Sequence, residues 1–350
     1  MAFRSNIIRA GFDALYYSGA HLVLRPILAG VGVVLMLHHV RPARGDSFQP
    51  NRHLEVTPEF LRTTLAHVRE LGLDIISIDE VHCRMRTRNF SRRFVCFTFD
   101  DGYRDNRDFA LPLMREYNAP FTVYAAPDFA DGRGRFWWLA LEQLVAKADA
   151  IDVPIGAGMR LDAASPGAKE AAFARLHGWL RAMPTDQAMF DALRVLCVRH
   201  GVCADAAGSG LCMPWDELRD FAADPLVTIG AHTLSHCTLA KASHSIAAHE
   251  MAGSRARLEE ELQQPVAHFA YPYGDKIAAT AREFALAREL GFSTAVTTRP
   301  GMLFGANADH LTALPRISLN GNFQDKRYLA VLTSGAATGL WKGFRRVDAA

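Results

Sequence analysis

The chain has almost no charge bias. Its 39 Lys and Arg against 37 Asp and Glu leave a formal net charge of +2, which removes the electrostatic case for a nucleic-acid partner. One basic cluster exists, Arg84, Arg86, Arg88, Arg92 and Arg93. It reads as a solvated face, with an anionic partner or membrane surface as the alternative. The six cysteines, at 83, 96, 197, 203, 212 and 237, include no CxxC pair. Such irregular spacing in a long chain argues against a disulfide framework and for free thiols in a reducing compartment. Residues Ile27 to Leu37 are apolar, but eleven residues are too few to span a bilayer. With Arg25-Pro26 before them and His38-His39 after, they read as a buried strand, and the chain as cytoplasmic. Residues 5–24 read as an amphipathic helix docked on the protein itself, a membrane surface being the other option. No internal repeat or low-complexity tract is present.

What is there is an alternation of short apolar runs with helical patterns. Strands are expected at Val31–His39, Ile75–Ile78, Phe94–Phe99, Pro120–Ala125, Leu226–Ala231, Val266–Ala270, Ser293–Thr297 and Leu314–Ser318. Between them, Thr57–Leu71 carries an N-cap threonine, Pro58 at the first helical position and Gly72 as a stop. Further helices are expected at Phe109–Tyr117, Trp215–Phe221, about 243–263 and about 277–290. The rhythm lapses over 128–212, where three helices are expected near 138–148, 166–182 and 186–200. This pattern predicts an α/β fold with a parallel sheet, and so many evenly spaced strands favour a barrel. Residues 1–30 form an N-terminal helical extension, 31–320 the barrel with 128–212 as a helical insertion, and 321–350 a Gly- and Ala-rich tail.

The chemistry concentrates at expected strand ends. Thr98-Phe99-Asp100-Asp101-Gly102 puts two adjacent carboxylates after an apolar stretch, and His232-Thr233-Leu234-Ser235-His236 follows another. Two imidazoles and one carboxylate make a His₂Asp set with an open coordination position, the ligand count of a hydrolytic site. Four-residue spacing places both rings on one side of a helical turn. Adjacent carboxylates repel unless a cation holds one ionised; a metal on Asp101 leaves Asp100 as base. Alone, Asp-Asp-Gly is ordinary turn chemistry; the second motif tips the balance. In Phe269-Ala270-Tyr271-Pro272-Tyr273-Gly274-Asp275, the Tyr273 amide is a candidate oxyanion donor, and Tyr271 a candidate substrate contact. Alternation sends one of His38 and His39 toward the barrel axis as candidate general acid. Trp137 and Trp138 are suited either to stacking on sugar rings or to the core of the insertion.

Together these motifs resemble the NodB-type polysaccharide deacetylases, carbohydrate esterase family 4. Leu35-Met36-Leu37-His38, Val56-Thr57-Pro58-Glu59-Phe60 and Phe269–Gly274 are most similar to the branch acting on poly-N-acetylglucosamine. The resemblance runs from about 31 to 318, outside the insertion. It implies a deformed (β/α) barrel and metal-dependent removal of N- or O-acetyl groups from sugars. Asp101, His232 and His236 match the metal triad, usually zinc; Asp100 matches the base, whose water is activated by the metal, and Tyr273 the oxyanion amide. Two positions depart from the pattern. Ala270 stands where an arginine is usual, and no histidine follows His310. In the branch with permuted motifs His38 aligns with the general acid, His39 being the reserve, and Arg316 is the candidate to supply the guanidinium. The implied partner is an acetylated oligo- or polysaccharide, with a lipid-linked glycan and a membrane as further options and no nucleic acid. Two other classes stay open: a non-catalytic carbohydrate-binding relative, and a metal amidohydrolase acting on a non-sugar amide.

Overall fold

The computed structural model describes residues 2–154 and 158–349. Seven strands carry the architecture: β1 (Gly32–Leu37), β2 (Phe94–Asp100), β3 (Phe121–Ala125), β4 (Val227–Ala231), β5 (His268–Ala270), β6 (Thr294–Pro300) and β7 (Leu314–Ser318). Each pairs in parallel with the next in sequence. The last closes on the first through Leu35↔Ile317 and Met36↔Ser318. The result is a closed seven-stranded parallel barrel surrounded by helices, with all strand C-termini at one mouth. That is the end at which such barrels place their chemistry.

The two-residue period of the strands sorts their side chains into two cores. Val34, Cys96, Tyr124, Ala270, Val296 and Leu314 fill the barrel interior. Their sequence neighbours Val33, Leu35, Val95, Phe97, Val123 and Phe269 pack outward against the helices. Gly230 on β4 is needed where the ring of Tyr124 crosses the interior; a Cβ there would lie 2.4 Å from Tyr124 Cδ1.

Several elements differ from the sequence expectation for local reasons. Only Asp74–Ile75 is a strand in the second expected run. Ser77 Oγ accepts the amide of Glu80 and starts a helix over Ile78–Thr87, whose Ile78, Val81 and Met85 join the inner core. The first strand stops at Leu37, and His39–Val40 pairs separately with Glu55–Val56. The N-terminal helix is two helices, Ala2–Tyr17 and Ala20–Leu28, parted at Gly19, whose φ is 72°. The C-terminal stretch forms helices Lys326–Thr333 and Ala336–Trp341 against them. The arginine cluster is largely tied up: Arg84 and Arg92 pair with Asp74, Arg88 with Asp309, and Arg93 donates to the carbonyls of Ala29 and Gly30.

The expected helices of the insertion are present as Trp137–Lys147, Pro166–Arg181 and Asp186–Arg199. A hairpin unforeseen in the sequence pairs Ala150–Val153 with Met159–Asp162. These elements share a core with Phe48, Tyr103, Phe129 and Phe136. All six cysteines are free.

Gly230→Ala forces its new methyl into the Tyr124 ring. It should lower the free energy of unfolding by about 1–3 kcal/mol, the usual cost of overpacking, seen as a lower urea midpoint with an unchanged slope.

Candidate active site

Alternation along β1 and β2 delivers His38 and Asp100 to the mouth on the inward side, in line with Val34 and Cys96. Asp101, next in sequence, would face outward if the strand continued. Its φ of 76° breaks the alternation, so both carboxylates line one cavity. Left-handed backbone at a non-glycine residue costs of order 1–3 kcal/mol and is kept only where the surroundings enforce it. Here the enforcing contacts come from the end of the insertion: Met213 donates its amide to Gly102 O at 3.1 Å, and Cys212 Sγ lies 3.3 Å from Asp101 O.

His232 extends the sheet, its amide donating to Ala125 O at 3.1 Å. The expected helical turn between His232 and His236 does not form. Thr233 and His236 have φ of 59° and 58°, and Glu250, on the helix His244–Leu262, takes hold of the loop by accepting from both the amide and the hydroxyl of Ser235. A loop pinned at its centre brings the rings together where a helical turn would have done so by periodicity.

The geometry suits one ion. His232 Nε2 and His236 Nε2 lie 3.5 and 3.3 Å from Asp101 Oδ1. Ligands about 2.0–2.1 Å from a tetrahedral zinc stand roughly 3.3 Å from one another. Asp101 Oδ1 is buried without a hydrogen-bond partner. Nδ1 of His232 is 2.7 Å from Ala270 O, the outer bond that fixes the tautomer with Nε2 free to coordinate. Burial opposes ionisation of Asp101, but the neighbouring imidazoles of His236 and His232 hold it well below the usual carboxylate range. Among the described residues this is the one trio of His, Cys, Asp or Glu placed to hold a metal.

Asp100 is held differently. Arg316, fully buried on β7, donates from Nη1 to Oδ1 and from Nη2 to Oδ2, both at 2.7 Å. Two further donors are anchored on Thr98 Oγ1 and Thr297 O. Burial pushes Asp100 up, and the guanidinium more than offsets it, leaving the carboxyl below its usual value. His38 Nε2 lies 3.8 Å from Asp100 Oδ2. Burial pushes this imidazole down to about 4 against the pull of Asp100 and Asp101. The structure separates the two histidines: His39 turns away, bonded to Asp105 at 2.6 Å and stacked on Tyr103.

Tyr273 also adopts left-handed backbone, with φ of 61°, followed by Gly274 at 54°. A Cβ on Gly274 would strike Thr298 N at 2.6 Å, so this turn requires glycine. Among the described residues the Tyr273 amide has no acceptor, while its carbonyl is held by Thr298 Oγ1. Trp137 and Trp138 line the cavity, which encloses about 320 Å³, yet both are nearly buried members of the insertion core. Trp137 Nε1 donates to Tyr273 Oη at 2.8 Å. Tyr271 is corrected: alternation opposite to Ala270 turns it into the outer core, where its hydroxyl donates to Thr312 O, so it cannot touch substrate. Asn51, His53, His177 and Arg181 complete the wall. They come from loops and the insertion, and only the folded insertion reveals their role.

A family model described as polysaccharide deacetylase matches residues 178–295. That stretch contains His232, His236 and the turn at Tyr273, and Asp100 and Asp101 lie outside it. The match covers about a third of the chain. Three solved structures share the deacetylase fold. The Streptococcus pyogenes deacetylase PplD, in complex with acetate, is 18% identical over 83% of this chain and 92% of its own, with a TM-score of 0.56. IcaB from Ammonifex degensii is 18% identical over 87% and 97%, with a TM-score of 0.54. BC0361, a polysaccharide deacetylase from Bacillus cereus, is 15% identical over 86% and 68%, with a TM-score of 0.53. No curated protein sequence matches the chain.

Removing one partner of a buried ion pair leaves an uncompensated charge. Arg316→Met should therefore destabilise the metal-free protein by roughly 3–5 kcal/mol. Asp100→Asn combined with Arg316→Met should lose less than the sum of the single changes. Denaturant titration of the four proteins checks both.

Proposed function

We propose that this deacetylase removes acetyl groups from N-acetylated or O-acetylated sugars of an oligo- or polysaccharide in a metal-dependent hydrolysis. The observation that carries the proposal is the convergence of Asp100, Asp101, His38, His232 and His236 on one cavity at the mouth of a deacetylase-fold barrel. Asp101, His232 and His236 would hold the ion, and zinc is the first candidate because two imidazoles and a carboxylate suit it. A divalent ion there would lower the pKa of a water and polarise the acetyl carbonyl, so that a weak base suffices.

The other steps belong to the chain. Arg316 keeps Asp100 ionised and fixes both its oxygens, so the carboxylate is oriented to accept the proton of the attacking water. The free amide of Tyr273, on its enforced left-handed turn, is the donor available to a developing oxyanion. His38, neutral because burial holds its pKa at about 4 and 3.8 Å from Asp100, would take up the proton that Asp100 draws from the water and pass it to the departing nitrogen or oxygen. Trp137, held by its bond to Tyr273, and Trp138 wall the cavity against water; their apolar faces are the surface offered to a pyranose ring.

Acetate release from N-acetylated chito-oligosaccharides, with and without chelator, tests the reading. Wild type should release acetate only with metal. Asp100→Asn should keep its metal and lose turnover, while His232→Ala should lose both together. His38→Ala should slow turnover by about 10²–10⁴-fold, the range of a positioned acid or base, with metal content unchanged. Metal retained at full occupancy in His232→Ala, or normal turnover in Asp100→Asn, would overturn the assignments.

A further inference from the structure

The two terminal segments meet beside the start of β1, and the C-terminal one runs on along the barrel to Asp348, which pairs with Lys276 next to the cavity-lining Asp275. Leu28, which closes the helix Ala20–Leu28, lies four residues before β1 begins. Arg93, just before β2, donates to the carbonyls of Ala29 and Gly30, and Val31 donates to Leu303 O. The helix Ala336–Trp341 packs on the same spot, so closely that a Cβ on Gly335 would collide with Leu28 O and one on Gly339 with Leu28 Cδ1.

These two helices turn their apolar side chains outward. On the first, His21 and Leu28 are buried, while Leu22, Val23 and Ile27 are 61%, 76% and 59% exposed. Val23 and Ile27 are four residues apart and share one helical face. On the second and just beyond it, Leu340, Trp341 and Phe344 are exposed, Trp341 by 70%. Clustered exposure of this kind marks an interaction surface. Its charge is mainly positive. Residues 5–30 and 336–349 contain Arg9, Arg25, Lys342, Arg345 and Arg346 against two carboxylates, Asp13 and Asp348; Asp13 is paired with Arg327, and Asp348 with Lys342, Lys276 and Arg299. Among the described residues, Arg25, Arg345 and Arg346 have no carboxylate partner.

From the apolar stripe and its cationic border we infer that this face is a docking surface for an anionic lipid bilayer. Two copies of the chain meeting here would oppose arginine to arginine, which disfavours a homodimer. Apolar side chains bordered by arginines, with a tryptophan among them, match what an interfacial helix needs to enter the headgroup region. Among the described residues no helix is long and apolar enough to cross a membrane, so the contact is peripheral.

Sedimentation of the full-length protein with phosphatidylglycerol-rich vesicles tests the inference, with pure phosphatidylcholine vesicles beside them. Wild type should co-sediment with the anionic vesicles, less so as salt rises, and Trp341 emission should shift to the blue, a shift missing in Trp341→Phe. Val23→Glu/Ile27→Glu should abolish binding. Arg345→Gln/Arg346→Gln should weaken it by about thirtyfold, two cations each contributing the usual increment at an anionic surface. All variants should keep the wild-type circular dichroism spectrum, since every substituted side chain is exposed. Failure of wild type to bind anionic vesicles, or undiminished binding by both double variants, overturns the inference. So does a concentration-dependent dimer in light scattering that Val23→Glu/Ile27→Glu dissolves, which would make the face a contact between copies.

Discussion

The bidentate pair between Arg316 and Asp100 holds the rest of the site together. Both groups are buried, so neither is tolerable alone in the low-dielectric interior. Each makes the other possible: the guanidinium keeps the carboxylate ionised, and the carboxylate neutralises a cation that would otherwise stand beside the trio Asp101, His232 and His236. Two more arginine donors go to Thr98 and Thr297, which locks the pair to β2 and β6. A carboxylate with both oxygens fixed is a weaker base but a better aimed one, and in the proposed reaction that weakness would suit a water acidified by a metal.

Much of this was legible in the sequence, because the decisive residues stand in consecutive runs at strand ends. The Asp-Asp pair, the two histidines and the inward turn of one of His38 and His39 follow from strand periodicity and ligand chemistry. What periodicity misled on was local backbone. Asp101, Thr233, His236 and Tyr273 all take left-handed conformations that no pattern of apolar residues announces. The His232–His236 loop is shaped by Glu250, a residue on the α-helix that follows it, and helical spacing suggested a turn that is absent. Tyr271 was misplaced for a simpler reason: it sits in a functional run, but on the outward parity of its strand. Ser77 hid a helix start inside an apparently β-rich run, since one N-cap hydroxyl outweighed the isoleucines around it.

The insertion is part of the site's construction. Its core continues through Tyr103, Phe129 and Phe136 to the cavity wall, and its last residues, Cys212 and Met213, brace the turn that aims Asp101. Arg181, from the same insertion, lies over the Tyr273 ring and pairs with Asp275. The barrel alone would offer a metal trio on an open rim. The insertion gives that rim depth, aromatic walls and the enforced backbone that the chemistry uses.

The barrel closes between its first and last strands, and this orders events during synthesis. His38 is made near the beginning of the chain and Arg316 near its end, with Asp100 between them. Until the ribosome has delivered β7, the barrel is an open sheet with an unpaired carboxylate on its inner face and two exposed edges, β1 and β6. Completion of the fold and assembly of the candidate site are therefore one event. A nascent chain lacking its final strand has no partly working site; it is a client for chaperones, its unpaired strands open to association with other chains.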